Sequence, residues 1–332
     1  MRLELHPSIQ TLLKRFLIGG ILLFYAWIIF FASQATLPDG MHPLLFYSSQ
    51  TRQDIKQTFY RALSQAKESI FLSVYGISDP DILTLLKQKN NAVALTVEYD
   101  PSASRNLKKI IPYPALVRPI KSKGLMHKKI IVIDHALIFL GSANLTTSSL
   151  RHHANFVLGL YHPPLAAFLE ESTAPSYSFR IQEQTAELFL LPDPQHLGMQ
   201  RLLGAIEGAK KKINIAMFTL THPDIVEALI RAKKRGVNVS IAVDYYTAKG
   251  ASKKALATMQ KEGINIYLSQ GKELLHHKWS VIDDALLVMG SANWTKAAFC
   301  KNDDFLLFLF PLQKKERLFL KQLWKIVKLE AA

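Results

Sequence analysis

The sequence predicts an α/β fold with mixed or parallel sheets, built twice within one chain. Strand-like apolar runs alternate with amphipathic helical stretches, the pattern of an α/β protein. The block Ala66–Tyr75 (AKESIFLSVY) lines up with Ala209–Phe218 (AKKKINIAMF) at an offset of 143 residues. A longer pattern, His-x-Lys-x4-Asp-x6-Gly-Ser-x-Asn, occurs at His127–Asn144 and again at His276–Asn293, displaced by 149, so the second half carries six extra residues between the two blocks.

The first segment differs from the rest. Residues 16–32 (FLIGGILLFYAWIIFFA) are uncharged and follow Lys14 and Arg15. Seventeen residues at a rise of roughly 1.5 Å reach about 25 Å, the lower limit for a bilayer span. Residues 1–38 therefore read as an N-terminal membrane anchor or signal sequence. Basic residues before the run favour a cytoplasmic N-terminus, with the rest of the chain outside the cytoplasm. The small-x-small triplet Ser33-Gln34-Ala35 leaves secretion after signal cleavage as the alternative.

The remaining elements follow the same order in residues 43–178 and 179–332. Helical stretches at Gln53–Ala66 and Gly198–Ala209 lead into apolar strand-like runs at Ile70–Tyr75 and Ile213–Phe218. Proline opens the next helix of each half, Pro80–Lys89 and Pro223–Lys234. Buried strands are predicted at Val93–Tyr99 and Val237–Val243, each followed by an aspartate, Asp100 or Asp244. The motif blocks supply strand pairs at Lys129–Ile133 with Leu137–Leu140, and Lys278–Ile282 with Leu286–Met289. A further strand (Asn155–Leu160; Asp304–Phe310) and a helix close each half. The stretch Pro163–Phe179 holds the first closing helix and the linker. Leu312–Leu329 has Phe319, Leu323, Trp324 and Val327 on one face and is expected to pack on the second half, a membrane-surface helix being the alternative.

Composition narrows the functional classes. An apolar fraction of 49% with 20% charged residues excludes disordered and collagen-like chains. One cysteine, Cys300, excludes an intrachain disulfide and a cysteine-based metal site. Lys and Arg outnumber Asp and Glu by 41 to 26, a formal charge of +15, which attracts nucleic acid, phosphorylated substrates or an anionic membrane surface.

The repeated motif carries the chemistry. Six residue types at fixed spacing arise by chance on the order of once in 10⁵ chains of this length, so a second copy removes chance as the explanation. Histidine and lysine two positions apart on a strand project from one face. The aspartates fall where each strand turns, and Gly-Ser-x-Asn ends the next strand. Such residues suit phosphodiester cleavage. Lys129 and Lys278 would neutralise the non-bridging oxygens, with Ser142, Asn144, Ser291 and Asn293 as substrate-binding donors. One neutral imidazole would attack phosphorus while the other protonates the leaving alkoxide, after which water would release the phosphohistidine. No metal or other cofactor is expected, because the lysines fill the role of divalent ions. His135, His152, His153 and His277 read as ordinary surface or core residues.

His127, Lys129, Asp134, Gly141, Ser142 and Asn144, with His276, Lys278, Asp283, Gly290, Ser291 and Asn293, resemble the two HKD motifs of the phospholipase D superfamily, compact bacterial members in particular. The resemblance runs from about Pro43 to the end. It implies two α/β halves related by a pseudo-two-fold axis with both motifs in one cleft. It also implies catalytic roles for His127, Lys129, Asp134, His276, Lys278 and Asp283, His127 being the nucleophile and His276 the acid. Members of the family commonly have an acidic residue about a dozen positions beyond each motif's asparagine, where it orients an imidazole. Here the supporting residues are Asp304 in one half and Asn155 in the other, and such pairings can cross between halves. Three substrates follow from the resemblance: membrane phospholipid hydrolysed at its head group, nucleic acid cut by an endonuclease, or phospholipid in a phosphatidyl transfer like that of cardiolipin or phosphatidylserine synthases. The apolar N-terminal run favours the first.

Overall fold

The computed structural model describes residues 15–21, 24–25, 35–171, 174–271 and 273–331. Met1–Thr36 and Leu37–Ala332 are separate units. In the first, residues 15–21 and 24–25 are helical, with Phe16, Leu17, Ile18, Phe24 and Tyr25 exposed. The rest of the apolar run, 22–23 and 26–32, on which the predicted membrane span or signal also rests, lies outside the described residues. No helix among the described residues is long and apolar enough to cross a membrane.

The second unit holds seventeen strands among its described residues: β1 (Leu44–Ser48), β2 (Ser69–Val74), β3 (Ala94–Tyr99), β4 (Leu116–Pro119), β5 (Lys129–Ile133), β6 (Leu137–Gly141), β7 (His153–Ala154), β8 (Phe156–Tyr161), β9 (Ser176–Ile181), β10 (Gln184–Leu191), β11 (Lys212–Met217), β12 (Asn238–Asp244), β13 (Asn265–Ser269), β14 (Leu274–Leu275), β15 (Lys278–Ile282), β16 (Leu286–Gly290) and β17 (Asp304–Phe310). One sheet is ordered β4-β3-β2-β5-β6-β8-β1 and the other β13-β12-β11-β15-β16-β17-β10-β9. The first seven positions correspond strand for strand, so the duplication read from the sequence is a duplication of the sheet. Both sheets are mixed: β2, β3 and β4 run parallel, whereas β5 runs antiparallel to β2.

Five of the six extra residues have a structural home in the crossover from the second to the third parallel strand, and one lies between the first and second. Half one crosses from β3 to β4 through the short helix Leu107–Ile110, whereas half two uses Tyr245–Lys249 and the longer Lys253–Lys261 between β12 and β13. The linker also differs from expectation. After the helix Pro163–Glu171 the chain enters β9, which pairs with β10 as an edge hairpin of the second sheet, so a boundary at residue 178 falls inside a strand.

The inner faces of both sheets share one core. Phe156 of β8 packs on Trp279 of β15 at 6.4 Å between ring centroids, and Trp279 packs on Trp324 at 6.0 Å. The last helix, Lys314–Leu329, lies in this shared layer rather than on half two alone, because Phe319 contacts Phe46 and Phe156 of the first half. Leu323 and Val327 are fully buried, so its apolar face is already occupied by protein. The outer faces carry the helices Ile55–Gln65 and Pro80–Lys89 on one side and Leu197–Gly208, Pro223–Lys234 and Lys253–Lys261 on the other.

The motif glycines are required by close packing. A Cβ on Gly141 would overlap the carbonyl oxygen of Phe156 in β8, and one on Gly290 would overlap that of Phe305 in β17. Gly290→Ala is therefore expected to destabilise the protein by about 1–3 kcal/mol, the cost of overpacking a tight interior, seen as a lower midpoint in thermal unfolding followed by circular dichroism.

Candidate active site

Each motif begins at the end of a central strand and is pinned to the opposite half. His127 and Lys129 sit at the start of β5, His276 and Lys278 at the start of β15, all four buried. The backbone just before β5 pairs with the residue before β17: Met126 bridges Asp303, and the His127 N–H donates to the Asp303 carbonyl at 2.7 Å. The same exchange recurs 149 residues away, where Leu275 of β14 pairs with Ala154 of β7 and the His276 N–H donates to the Ala154 carbonyl at 3.0 Å. Reciprocal contacts of this kind are those of a two-fold relation. They set Asp304 beside His127 and Asn155 beside His276.

The two imidazoles are oriented by different groups. His127 Nδ1 lies 2.8 Å from Asp304 Oδ1, which also accepts from Ser291 Oγ at 2.6 Å. His276 Nδ1 lies 3.0 Å from Asn155 Oδ1, which accepts from Ser142 Oγ at 2.8 Å. The Asn155 amide is directed by its nitrogen, which donates to the carbonyls of Ser149 at 2.7 Å and His153 at 3.2 Å, so its oxygen is the atom turned to the ring. Both rings therefore donate from Nδ1 and keep Nε2 for chemistry.

Both lysines are buried, and each donates to the carbonyl of its own motif histidine, at 2.6 Å for Lys129 and 3.0 Å for Lys278. Their ammonium groups lie 5.3 Å from the Tyr75 ring centre and 5.2 Å from that of Phe218. The same aromatics pack against His127 at 5.4 Å and His276 at 5.1 Å. Tyr75 and Phe218 were not singled out by sequence reasoning, although both end the aligned 143-offset block. Burial pushes the Lys129 ammonium down to about 7, and holds Lys278 well below its ordinary range with help from the charge of Lys129. Burial, then Lys129, also lowers His127, with Asp304 opposing. His276 is lowered well below an ordinary imidazole by burial, then by Lys278 and Lys129. Burial alone would raise the Asp304 carboxyl, but attraction to His127, their hydrogen bond and Lys129 keep it low and ionised. Burial thus leaves these basic groups short of counter-charge, which an anionic phosphodiester would supply.

Four predicted site residues make framework contacts. Asp134 and Asp283, expected among the catalytic groups, lie beyond the far ends of β5 and β15. Each is the first of two successive positive-φ residues in the hairpin turn, as a type I′ turn requires. The Asp134 carboxylate accepts from the N–H groups of Lys67, Glu68 and Ser69, and Asp283 from those of Lys210, Lys211 and Lys212, at 2.7–3.0 Å. Ser142 and Ser291, expected to bind substrate, are buried with both hydroxyl functions in use, since each also accepts from the strand N–H of Phe156 or Phe305 at 3.1 Å. Asn144 and Asn293 differ: their buried side-chain oxygens have no protein partner, which leaves hydrogen-bonding capacity for a ligand. Of the other histidines, His277 is fully buried and bonds Gln50, whereas the His153 ring lies 5.5 Å from that of His276. With Asp244, Tyr245 and Tyr246, His153 lines a cavity of about 440 Å³.

Residues 59–174 and 202–322, together more than half of the chain, match the family model described as "Cardiolipin synthase, PLD-like domain". The human mitochondrial cardiolipin hydrolase is 30% identical over 149 residues, 42% of this chain and 58% of that protein. Cardiolipin synthase A of Buchnera aphidicola is 34% identical over 99 residues, 28% of this chain and 20% of that protein. The chain spans about half the length of the first curated relatives it matches. Among solved structures, phosphatidylserine synthase of Haemophilus influenzae shares the fold at a TM-score of 0.68, covering 87% of this chain and 86% of that one at 14% identity.

Two measurements check this geometry. Asp134→Ala and Asp283→Ala are each expected to lower unfolding stability by about 1–3 kcal/mol through orphaned N–H groups, while kcat per folded molecule falls less than about tenfold. A lysine whose folded pKa is depressed keeps its charge below that pKa and loses it above. Sulfate, whose own charge is constant, should therefore bind the cleft more weakly as pH rises from 6 through the Lys129 value of about 7, as read by isothermal titration.

Proposed function

Because the chain belongs to the phospholipase D-like family, we propose that it is a phosphodiesterase hydrolysing phospholipid head-group phosphodiesters through a phosphohistidine, with His127 as nucleophile and His276 as acid and then base. The observation that carries the assignment of roles is the buried Asp304 carboxylate 2.8 Å from His127 Nδ1. It fixes the proton on Nδ1, points the Nε2 lone pair at phosphorus and offsets the positive charge that phosphorylation puts on the ring. His276 faces an amide, which orients the ring without adding charge. Lys129 and Lys278, with Asn144 and Asn293, would bind the non-bridging oxygens, whose developing charge they stabilise in a site shielded from water.

Phospholipid is preferred as substrate because the apolar run 16–32 would tether the cleft to a bilayer, anchored with the catalytic body outside the cytoplasm, or leave a secreted enzyme if cleaved. The names of the curated relatives, a cardiolipin hydrolase and a cardiolipin synthase, point to lipid as well. The charge of +15 supports the second reading, an endonuclease, and equally an anionic membrane surface.

Residues 37–332, incubated separately with labelled mixed phospholipids and with single-stranded DNA, distinguish the readings. Lipid cleavage that His127→Asn reduces by at least about 10³-fold is expected. Cleavage of DNA alone would sink the lipid assignment, and glycerol incorporated in preference to water would make the protein a transferase. Mass spectrometry of acid-quenched enzyme should find the phosphoryl adduct on His127, whereas an adduct on His276 would reverse the two roles.

A further inference from the structure

The two imidazoles occupy matching frames that differ at one atom. Asn155 and Asp304 stand 149 residues apart in equivalent positions, at the start of equivalent strands. Each accepts from the equivalent serine and from the Nδ1 of the other half's histidine. An amide nitrogen in place of a carboxylate oxygen leaves the geometry nearly unchanged and removes the negative charge behind His276. The groups facing His276 are Lys278, Lys129, His127 and His153, with Phe218 against the ring.

Building on the covalent mechanism above, we propose that Asn155 is a positioning residue that sets the lifetime of the phosphohistidine, making its breakdown the slow step of the cycle. In the first step His127 Nε2 forms the P–N bond, the P–O bond to the leaving alcohol breaks, and the proton on His276 Nε2 goes to that oxygen. In the second, water oxygen forms a new P–O bond, the P–N electron pair returns to His127, and the water proton goes to His276 Nε2. Proton and electron pair are both restored. A weakly basic imidazole is a strong donor in the first step and a poor acceptor in the second. The substrate's charge deepens this asymmetry. The bound diester is an anion facing a neutral His127, whereas the phosphoryl-imidazolium is neutral overall, so His276 loses anionic help when it must take a proton. A carboxylate at 155 would supply that help permanently.

Rapid mixing of residues 37–332 with a phosphodiester bearing a p-nitrophenolate leaving group tests this. That group departs without a proton, so formation of the intermediate is read apart from its breakdown. A burst of about one equivalent followed by slow turnover is expected, with His127 labelled throughout the steady state. Asn155→Asp should shrink the burst and raise steady-state turnover about tenfold, whereas Asp304→Asn should slow the burst itself. Labelled His127 without a wild-type burst, or a folded Asn155→Asp variant with unchanged breakdown, would overturn the proposal while leaving the covalent mechanism standing. Turnover with no labelled protein at any time would overturn both. Absence of a wild-type burst overturns the proposal even should Asn155→Asp fail to fold.

Discussion

The backbone exchange of Met126 with Asp303, and of Leu275 with Ala154, is the constraint on which the site depends. It brings the approach to each histidine alongside the strand that carries the other half's acceptor, within hydrogen-bonding reach. Asp304 begins a strand of one sheet and Asn155 precedes a strand of the other, and the exchange sets each beside the other half's histidine. The shared core behind it, from Phe156 through Trp279 to Trp324, holds the two sheets at a fixed distance. The glycines then let β6 approach β8, and β16 approach β17, closely enough for a serine hydroxyl to reach the acceptor.

Burying two lysines beside two imidazoles costs solvation that the protein recovers only in part. Each ammonium has a carbonyl and an aromatic face but no carboxylate partner at hydrogen-bonding distance. Asp304 supplies one negative charge to the group. The unmet demand for counter-charge favours an anionic ligand, which would meet cations and dipoles already fixed in place by the fold.

Much of this was legible in the sequence because duplication and alternation leave marks there. The offsets of 143 and 149 gave the two sheets, and His-x-Lys on a strand gave two side chains on one face. Pro80–Lys89 and Pro223–Lys234 were readable to the residue because proline and an acidic first turn mark a helix start. The place of the motif aspartates was not legible, since spacing shows that a residue matters without showing which end of a strand it serves. Asp134 and Asp283 face backbone N–H groups that only the folded hairpin brings near. The serines' partners are hidden for a similar reason, lying 13 residues away in sequence. Tyr75 and Phe218 looked like ordinary strand ends, and β9 was hidden in a linker by its polar residues.

Covalent linkage of the halves has a consequence for how such a site can change. In a pair of identical chains related by the same exchange, one substitution at the acceptor position alters both imidazoles together, so a pairing of carboxylate with amide could never arise. Within one chain each acceptor is encoded once. Fusion therefore breaks the bond between structural symmetry and genetic symmetry: the fold keeps its two-fold order while each imidazole has its own heritable acceptor. That independence is what allows Asp304 and Asn155 to coexist in one cleft.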